Sequence, residues 1–318
     1  MKSPIYIHRY TMHSHTALNA ASTRHDHEGA LIKVDDGYGC MHPWPELGDV
    51  SLDRLLTALE RGRTTPTTRS ALYCAREDGK ARREGRSLFD GLEVPLSNAT
   101  LPLCEKAFDQ AIAAGFTIAK VKVGRDPEAE AKFIMEQSDR FPTLRWRLDF
   151  NAVLGRGGVE QFLKSLSPEC RQRIDFIEDP CVYESESWNE LYTRYGIPLA
   201  VDRDVENAES GVNVVILKPA VNVVKPMLEK AHMESWRVVF TSYLDHPLGQ
   251  CFAAWRAAQS AKAFPGMIEP CGLMTHGLFE PNAFIDRMGP VTPEFSPPSG
   301  TGLGFDDLLE NLPWKRLT

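Results

Sequence analysis

Ile118-Ala119-Lys120-Val121-Lys122-Val123-Gly124 is a short apolar run that carries two lysines at alternate positions. In a strand, residues two apart share a face. Lys120 and Lys122 therefore point one way, and Ala119, Val121 and Val123 the other. Two ammonium groups side by side on a strand repel each other. Either water screens them or the repulsion is put to use. Downstream, apolar runs end in carboxylates: Leu148-Asp149-Phe150-Asn151, Phe176-Ile177-Glu178-Asp179-Pro180 and Leu199-Ala200-Val201-Asp202. A further lysine closes Val215-Ile216-Leu217-Lys218. Lysines, three spaced acids and another lysine, each ending its own strand, read as a metal site flanked by bases.

The rhythm around this stretch decides the fold class. Strand candidates recur near 93–99, 118–123, 144–150, 174–178, 198–202, 212–217, 237–242 and 267–271, with helical stretches between most of them. Their spacing is mostly about 24–29 residues, the length of a βα unit. The short step from Asp202 to Lys218 leaves room only for a reduced helix. Eight strands in alternation predict an α/β fold, a β/α barrel. Residues 1–91 read differently, as strands at Ile5–Tyr10, Gly29–Val34 and Tyr38–Trp44 followed by two helices, an α+β pattern. Leu52, Leu55, Leu56 and Leu59 have helical spacing, and Pro66 opens the next helix. The barrel is expected over 92–288. The Pro- and Gly-rich tail, 289–318, is expected to return to the N-terminal unit. Within it Gly300-Thr301-Gly302-Leu303-Gly304 resembles a fragment of a phosphate loop. It follows no clear strand and lacks the lysine of such a loop, so no phosphate site is read there.

Composition excludes several classes of function. The chain has 318 residues, 42% apolar and 25% charged, enough for a large domain and a smaller one. The net charge is −7, with 36 basic and 43 acidic residues and no basic block, which argues against a nucleic-acid partner. No run of about 18 apolar residues occurs, so no membrane span or membrane partner is expected. The seven cysteines are scattered and form no C-x-x-C pair. Free thiols in a reducing cytoplasm are the expectation.

Active sites of β/α barrels lie at the C-terminal ends of the strands. Asp149, Glu178 and Asp202 fall there on consecutive strands. Three converging carboxylates repel, and a hard divalent cation with oxygen ligands, such as Mg²⁺, removes that cost. Each acid alone reads as a helix cap or salt-bridge partner; three in register read as a ligand set. Asp204 shares Asp202's face by strand alternation, but Asp202 directly ends the apolar run and is the preferred third ligand. Lys122 flanks the acids on one side and Lys218 on the other. A nearby metal and the second ammonium of Lys120 both disfavour a charged Lys122, which suits it to act as a general base. Arg147 shares the inward face of Asp149. A clamp for a substrate carboxylate and a buried structural ion pair are both open for it. His13-Ser14-His15 and His25-Asp26-His27 lie in a polar stretch without fixed spacing. It reads as a solvated loop, which can act as a substrate lid over the barrel mouth.

The chain resembles the enolase superfamily through nearly its whole length. The matching pieces are Ala119-Lys120-Val121-Lys122-Val123-Gly124, Leu148-Asp149-Phe150-Asn151, Ile177-Glu178-Asp179-Pro180-Cys181, Asp202 and Leu217-Lys218-Pro219. Lysines on both sides of the acids make it similar to the muconate-cycloisomerase-like subgroup. Arg145-Trp146-Arg147-Leu148-Asp149, the run Arg171 to Cys181, and Gly272-Leu273-Met274-Thr275 resemble the proteobacterial o-succinylbenzoate synthase family. The resemblance implies a (β/α)7β TIM-like barrel under an N-terminal α+β capping domain completed by the C-terminal tail. It implies Mg²⁺, with Mn²⁺ as a substitute, at Asp149, Glu178 and Asp202. The implied reaction is dehydration of 2-succinyl-6-hydroxy-2,4-cyclohexadiene-1-carboxylate to o-succinylbenzoate in menaquinone biosynthesis, through α-proton abstraction and a metal-stabilised enediolate. For superfamily members of this type a lysine or histidine base paired with Mg²⁺ is the general pattern.

In that reading Lys122 is the base and later the proton donor to the leaving hydroxyl. Lys120 lowers its pKa, and Lys218 lies across the ring, where cation–π attraction favours the electron-rich intermediate. Thr241 and Gly272 match positions that contact substrate. The seventh strand ends Thr241-Ser242-Tyr243-Leu244-Asp245-His246 where relatives often carry Ser-x-Glu-Ser; Asp245 stands for the glutamate, and Tyr243 adds bulk near the mouth. Dipeptide epimerases, N-acylamino acid racemases and muconate-type cycloisomerases share the scaffold, and a non-catalytic barrel is a further alternative. Epimerases carry Asp-x-Asp at the end of the eighth strand, which Ile268-Glu269-Pro270-Cys271-Gly272 lacks. A small-molecule carboxylate is the expected partner. The oligomeric state is left open, with a monomer compatible.

Overall fold

Three strands near the N-terminus form an antiparallel meander: β1 (Ile5–His13), β2 (Asp26–Val34) and β3 (Gly37–Met41). The computed structural model describes residues 3–18 and 23–318. Helices α1 (Leu52–Glu60) and α2 (Pro66–Arg83) cover one face of the sheet. α1 buries Leu52, Leu55, Leu56 and Leu59, the stripe read from their spacing. α2 begins at a Thr65–Thr68 capping box with Pro66 in its first turn. Gly37 and Gly39 let α2 lie directly on β3: a Cβ at Gly39 would stand 2.2 Å from the Ala71 carbonyl oxygen, and one at Gly37 1.8 Å from that of Ala75. β1 and β2 pair from Ile5↔Val34 through His13↔Asp26. The sheet therefore reaches into the stretch expected to be a solvated loop, and His27 is buried there.

The second sheet is parallel and seven-stranded: β4 (Ala99–Leu101), β5 (Ile118–Lys122), β6 (Arg145–Asp149), β7 (Ile174–Glu178), β8 (Leu199–Val201), β9 (Val214–Leu217) and β10 (Arg237–Phe240), side by side in chain order. Its edges meet through residues 268–272. Val238 bridges Ile268 and Thr241 bridges Gly272 on one side, and Ser97 bridges Cys271 on the other, which closes a TIM-like barrel. Pro270 has no N–H to give, so the eighth position is a set of bridges and not a full ladder. Pro95 has the same effect on the first strand, which begins later than the expected 93–99.

The helices α3 (Glu105–Ala113), α4 (Pro127–Arg140), α5 (Arg156–Ser165), α6 (Pro168–Gln172), α7 (Ser185–Tyr195) and α8 (Val224–Met233) alternate with the strands. Between β8 and β9 the chain makes only a 3₁₀ turn, Val205–Asn207, as the short spacing requires. α9 (Pro247–Ala263) is buried along most of its length, with Ala253, Ala254, Ala257 and Ala258 inside. A helix apolar on all sides belongs between two layers, and α9 touches both β10 and β3. Phe176, Ala200, Val214, Ile216 and Val239 cluster together as a separate apolar core within the barrel sheet. Among the described residues no helix is long and apolar enough to cross a membrane. All seven cysteines are free.

The tail carries α10 (Ala283–Met288) and α11 (Asp306–Glu310) and ends in β11 (Lys315–Arg316), which pairs with β1. Its glycine-rich turn wraps a carboxylate of α2. Asp78 is fully buried and accepts the backbone N–H groups of Tyr38 at 2.9 Å and Leu303 at 2.7 Å, and Arg82 Nε at 2.6 Å. Gly302 has φ 58° and sits so close that a Cβ would lie 2.1 Å from Asp78 Oδ1. Without Asp78 the N–H groups of Tyr38 and Leu303 lose their buried acceptor and Arg82 keeps only Asp306, 2.6 Å away. Asp78→Ala is therefore expected to lower stability by about 2–5 kcal/mol, seen as a reduced urea midpoint with little change in slope.

Candidate active site

Register brings the chemistry to one rim. Lys122 pairs with Asp149, Asp149 with Glu178, and Glu178 with Ala200, all at the C-terminal ends of β5 to β8. The Lys120 ammonium lies between two of the carboxylates, 2.6 Å from Glu178 Oε1 and 3.1 Å from Asp149 Oδ2. Across the rim Lys218 Nζ lies 2.5 Å from Asp202 Oδ2. Lys122 donates to the backbone carbonyl of Leu18 at 2.6 Å and contacts neither acid through a hydrogen bond that short. Asp204 is exposed and accepts from Asn207 Nδ2.

The charges set the protonation states. Burial disfavours the Lys120 ammonium, but Asp149, Glu178 and Asp202 outweigh it and hold the proton on. Burial depresses Lys122; Asp149 works against this, and the ammoniums of Lys120 and Lys218 add to it, leaving its pKa below the ordinary lysine value. Asp149 is kept below the usual carboxylate range because Lys120 and Lys122 more than offset its burial. Glu178 is pushed up by burial and by Asp149 beside it. Asp149 and Glu178 thus share the one ammonium of Lys120, and Asp202 takes that of Lys218.

A second layer of contacts aims the acids. Asn151 donates to Asp149 Oδ1 through its backbone N–H at 3.1 Å and its side chain at 2.9 Å. Asp179 Oδ1 accepts the backbone N–H of Asp202 at 3.0 Å. Asn151, Ala152 and Asp179 have φ values of 50°, 55° and 41°, and the Ala152 N–H donates to the Asp179 carbonyl at 2.8 Å. Left-handed backbone at non-glycine residues costs energy and persists where neighbours over-determine it. The Asp-x-Asn spacing was the signal that could have marked Asn151; the role of Asp179 depends on a contact between strands.

The donor set fits a hard divalent cation. Among the described residues no three His, Cys, Asp or Glu side chains already stand grouped around one point. Asp149 and Glu178 nevertheless converge on a single positive charge, that of Lys120, and Asp202 Oδ1 is buried without a hydrogen-bond partner. Oxygen donors, two carboxylates crowded on one ammonium and an orphaned carboxylate oxygen suit Mg²⁺.

Arg147 is not with them. Its guanidinium is fully buried, donating to Asp175 Oδ2 at 2.8 Å, Asn98 Oδ1 at 2.8 Å and the Pro270 carbonyl at 2.6 Å, with Phe176 beneath it at 4.6 Å. The irregularity in register at Trp146/Arg147 brings Asp175 to it, and of the two readings open for Arg147 this is the ion pair. Thr241 and Gly272 meet at the rim, where Thr241 Oγ1 donates to the Gly272 carbonyl at 2.9 Å. A Cβ on Gly272 would stand 2.9 Å from that hydroxyl. Asp245 is buried against Gly249, in the neighbourhood of Tyr10 and Cys40.

The histidines do not converge on a metal. His13 Nδ1 pairs with Asp26 at 2.7 Å, His25 Nδ1 with the Ser14 carbonyl at 2.9 Å, and His27 Nε2 with Ser14 Oγ at 3.1 Å. His15 and His13 bond through their backbones to Leu278 and Glu280, beyond the eighth barrel position. Leu18 then extends this segment to Lys122. Residues 19–22 of the expected lid lie outside the described residues.

Comparison with known proteins gives the same frame. Residues 5–81 match the family model described as the N-terminal domain of O-succinylbenzoate synthase, and residues 104–307 match that of an enolase C-terminal domain-like unit. The chain is 32% identical over 323 residues to an o-succinylbenzoate synthase of Bdellovibrio bacteriovorus, covering 97% of each. In structure it is similar to an N-succinyl Arg/Lys racemase from Bacillus cereus (TM-score 0.78, 16% identity, 98% of each chain covered). It is also similar to an enolase-superfamily member from Roseovarius nubinhibens complexed with magnesium (TM-score 0.73, 17% identity, covering 99% of this chain and 98% of that one). At these identities the structural likenesses speak for the fold.

Proposed function

The chain belongs to the o-succinylbenzoate synthase family of the enolase superfamily, and from that premise we propose that it is a hydro-lyase. Its substrate is 2-succinyl-6-hydroxy-2,4-cyclohexadiene-1-carboxylate and its products are o-succinylbenzoate and water, a step in menaquinone biosynthesis. The observation that carries this reading is the pair Lys122 and Lys218 on opposite sides of Asp149, Glu178 and Asp202, close enough for Lys218 to depress Lys122. Mg²⁺, with Mn²⁺ as a substitute, would be held by those three carboxylates and would supply positive charge beside the substrate carboxylate.

The chain's own groups account for the rest. Lys122, depressed below the ordinary lysine value, accepts the proton α to the ring carboxylate at Nζ. The electron pair of that C–H bond moves toward the carboxylate. Lys120 keeps its proton and contributes positive charge on the same face. Lys218 lies on the opposite side, toward the electron-rich ring. Lys122 returns the proton to the departing hydroxyl, the C–O bond breaks and water leaves. The electron pair ends in the aromatic ring, so the reaction needs no oxidant or reductant. Free thiols throughout support a reducing compartment, the cytoplasm.

The deciding experiment is a direct assay of the cyclohexadiene with Mg²⁺. The expected result is conversion to o-succinylbenzoate that stops with EDTA and returns with added Mg²⁺. A protein that binds Mg²⁺ yet leaves this compound untouched would refute the substrate while keeping the family. α-Proton exchange of N-succinyl amino acids in heavy water would then mark a racemase.

A further inference from the structure

One side chain at the barrel rim is set by the N-terminal layer. Tyr243 follows β10, and its backbone carbonyl accepts the Trp44 indole N–H at 2.7 Å. Its hydroxyl donates to Asp49 Oδ2 at 2.9 Å, and that oxygen also accepts the Trp44 backbone N–H at 2.8 Å. Trp44 is buried, packed between the rings of His27 at 4.6 Å and His42 at 5.3 Å. Tyr243 is therefore held at its main chain and at its phenol by the segment that follows β3. The next residue, Leu244, has φ 51°, a turn that a leucine keeps only when its surroundings impose it.

The ring so fixed lies 5.7 Å from Lys218 Nζ, within the range where an aromatic face attracts an ammonium. Lys218 thus has two holds, the Asp202 carboxylate and the Tyr243 ring. A lysine with one partner pivots on a flexible four-carbon stem; a second contact removes that freedom.

We propose that Tyr243 is a positioning residue: aimed by Asp49 and Trp44, its ring holds the Lys218 ammonium in place over the substrate. The N-terminal layer thereby tunes the chemistry of the barrel through one tyrosine. The inference rests on the reading of Lys218 as the group facing the substrate opposite Lys122.

The test compares Tyr243→Leu, Tyr243→Phe, Asp49→Ala and the Tyr243→Phe/Asp49→Ala double variant in the Mg²⁺-supplemented dehydration assay. Tyr243→Leu is expected to lower kcat about 10- to 100-fold while KM moves less than about threefold, the mark of a misplaced catalytic group. Tyr243→Phe removes the Tyr243–Asp49 bond and Asp49→Ala removes it together with the acceptor of the Trp44 N–H, so each lowers kcat less than Tyr243→Leu and the double variant falls no further than Asp49→Ala alone. The ε-carbon resonance of Lys218 in ¹³C-lysine-labelled protein, assigned with Lys218→Arg, shifts in Tyr243→Leu as the ring current disappears. Unchanged kcat in Tyr243→Leu, a loss confined to KM or to thermal stability, or multiplying effects in the double variant overturn the proposal. A wild type inactive on the cyclohexadiene refutes the proposed reaction instead. Tyr243 is then judged by the resonance alone, and an unmoved signal in Tyr243→Leu rejects it.

Discussion

Lys122→Ala lowers kcat for dehydration by about 10³- to 10⁴-fold, the upper range for removing a positioned general base. Lys122 sits on β5 beside Lys120, one strand from Asp149, and its Nζ reaches only a backbone carbonyl in this structure. No ion pair among the described residues is lost with it, but a charge that helps to offset the burial of Asp149 is, so a modest fall in thermal stability is expected. Lys122→Arg separates the base from the charge. Arginine keeps the positive charge but does not lose its proton in proteins, so it should be as inactive as alanine. A variant that regains activity with arginine would make Lys122 an anion holder. The pH profile gives an independent check. Burial and the two neighbouring ammoniums depress Lys122, so its neutral form accumulates as pH rises through a value below the ordinary lysine range. The wild-type kcat/KM should rise with pH along that ascending limb, and the limb should be absent from the residual activity of Lys122→Ala.

Glu178→Gln should cost at least about 100-fold in Mg²⁺ affinity, more than loss of an outer-layer partner typically costs, and should reduce activity in parallel. The side chain is 2% exposed and lies against Lys120 and beside Asp149. Glutamine keeps its shape and removes one charge from a crowded site. The metal-free protein should tolerate the change. Burial and Asp149 raise the Glu178 pKa, so the folded state holds its proton at pH values where the unfolded chain has released it. Stability of the metal-free wild type therefore falls as pH rises from the ordinary glutamate value toward the raised one. Glu178→Gln should flatten that fall. The measurement is thermal unfolding with EDTA and with Mg²⁺ across pH. Stabilisation by Mg²⁺ equal to that of the wild type would remove Glu178 from the ligand set.

Much of the architecture was legible because it is written in local pattern. Lys120 and Lys122 share a face by strand alternation. Asp149, Glu178 and Asp202 each end an apolar run, and the short step to Lys218 left room for only the 3₁₀ turn seen at Val205–Asn207. The limits of this reading were also physical. Pro95 and Pro270 thin the ladders where the barrel closes, and a strand signal cannot show which N–H groups go unpaired. The histidine stretch is polar by composition, yet its ends are drawn into β1 and β2 because a long meander satisfies their backbone.

What the sequence determined by itself is the set of chemical groups and the strand ends that carry them, since alternation and spacing act within a few residues of each group. The tertiary structure decided which groups meet. It sent Arg147 to Asp175, buried Asp245 near Tyr10, put the Leu18 carbonyl on Lys122 and fastened Tyr243 to Asp49. Those pairings join residues from 28 to 235 positions apart, and the charge and burial that give each group its proton arise only when the two layers close on one another.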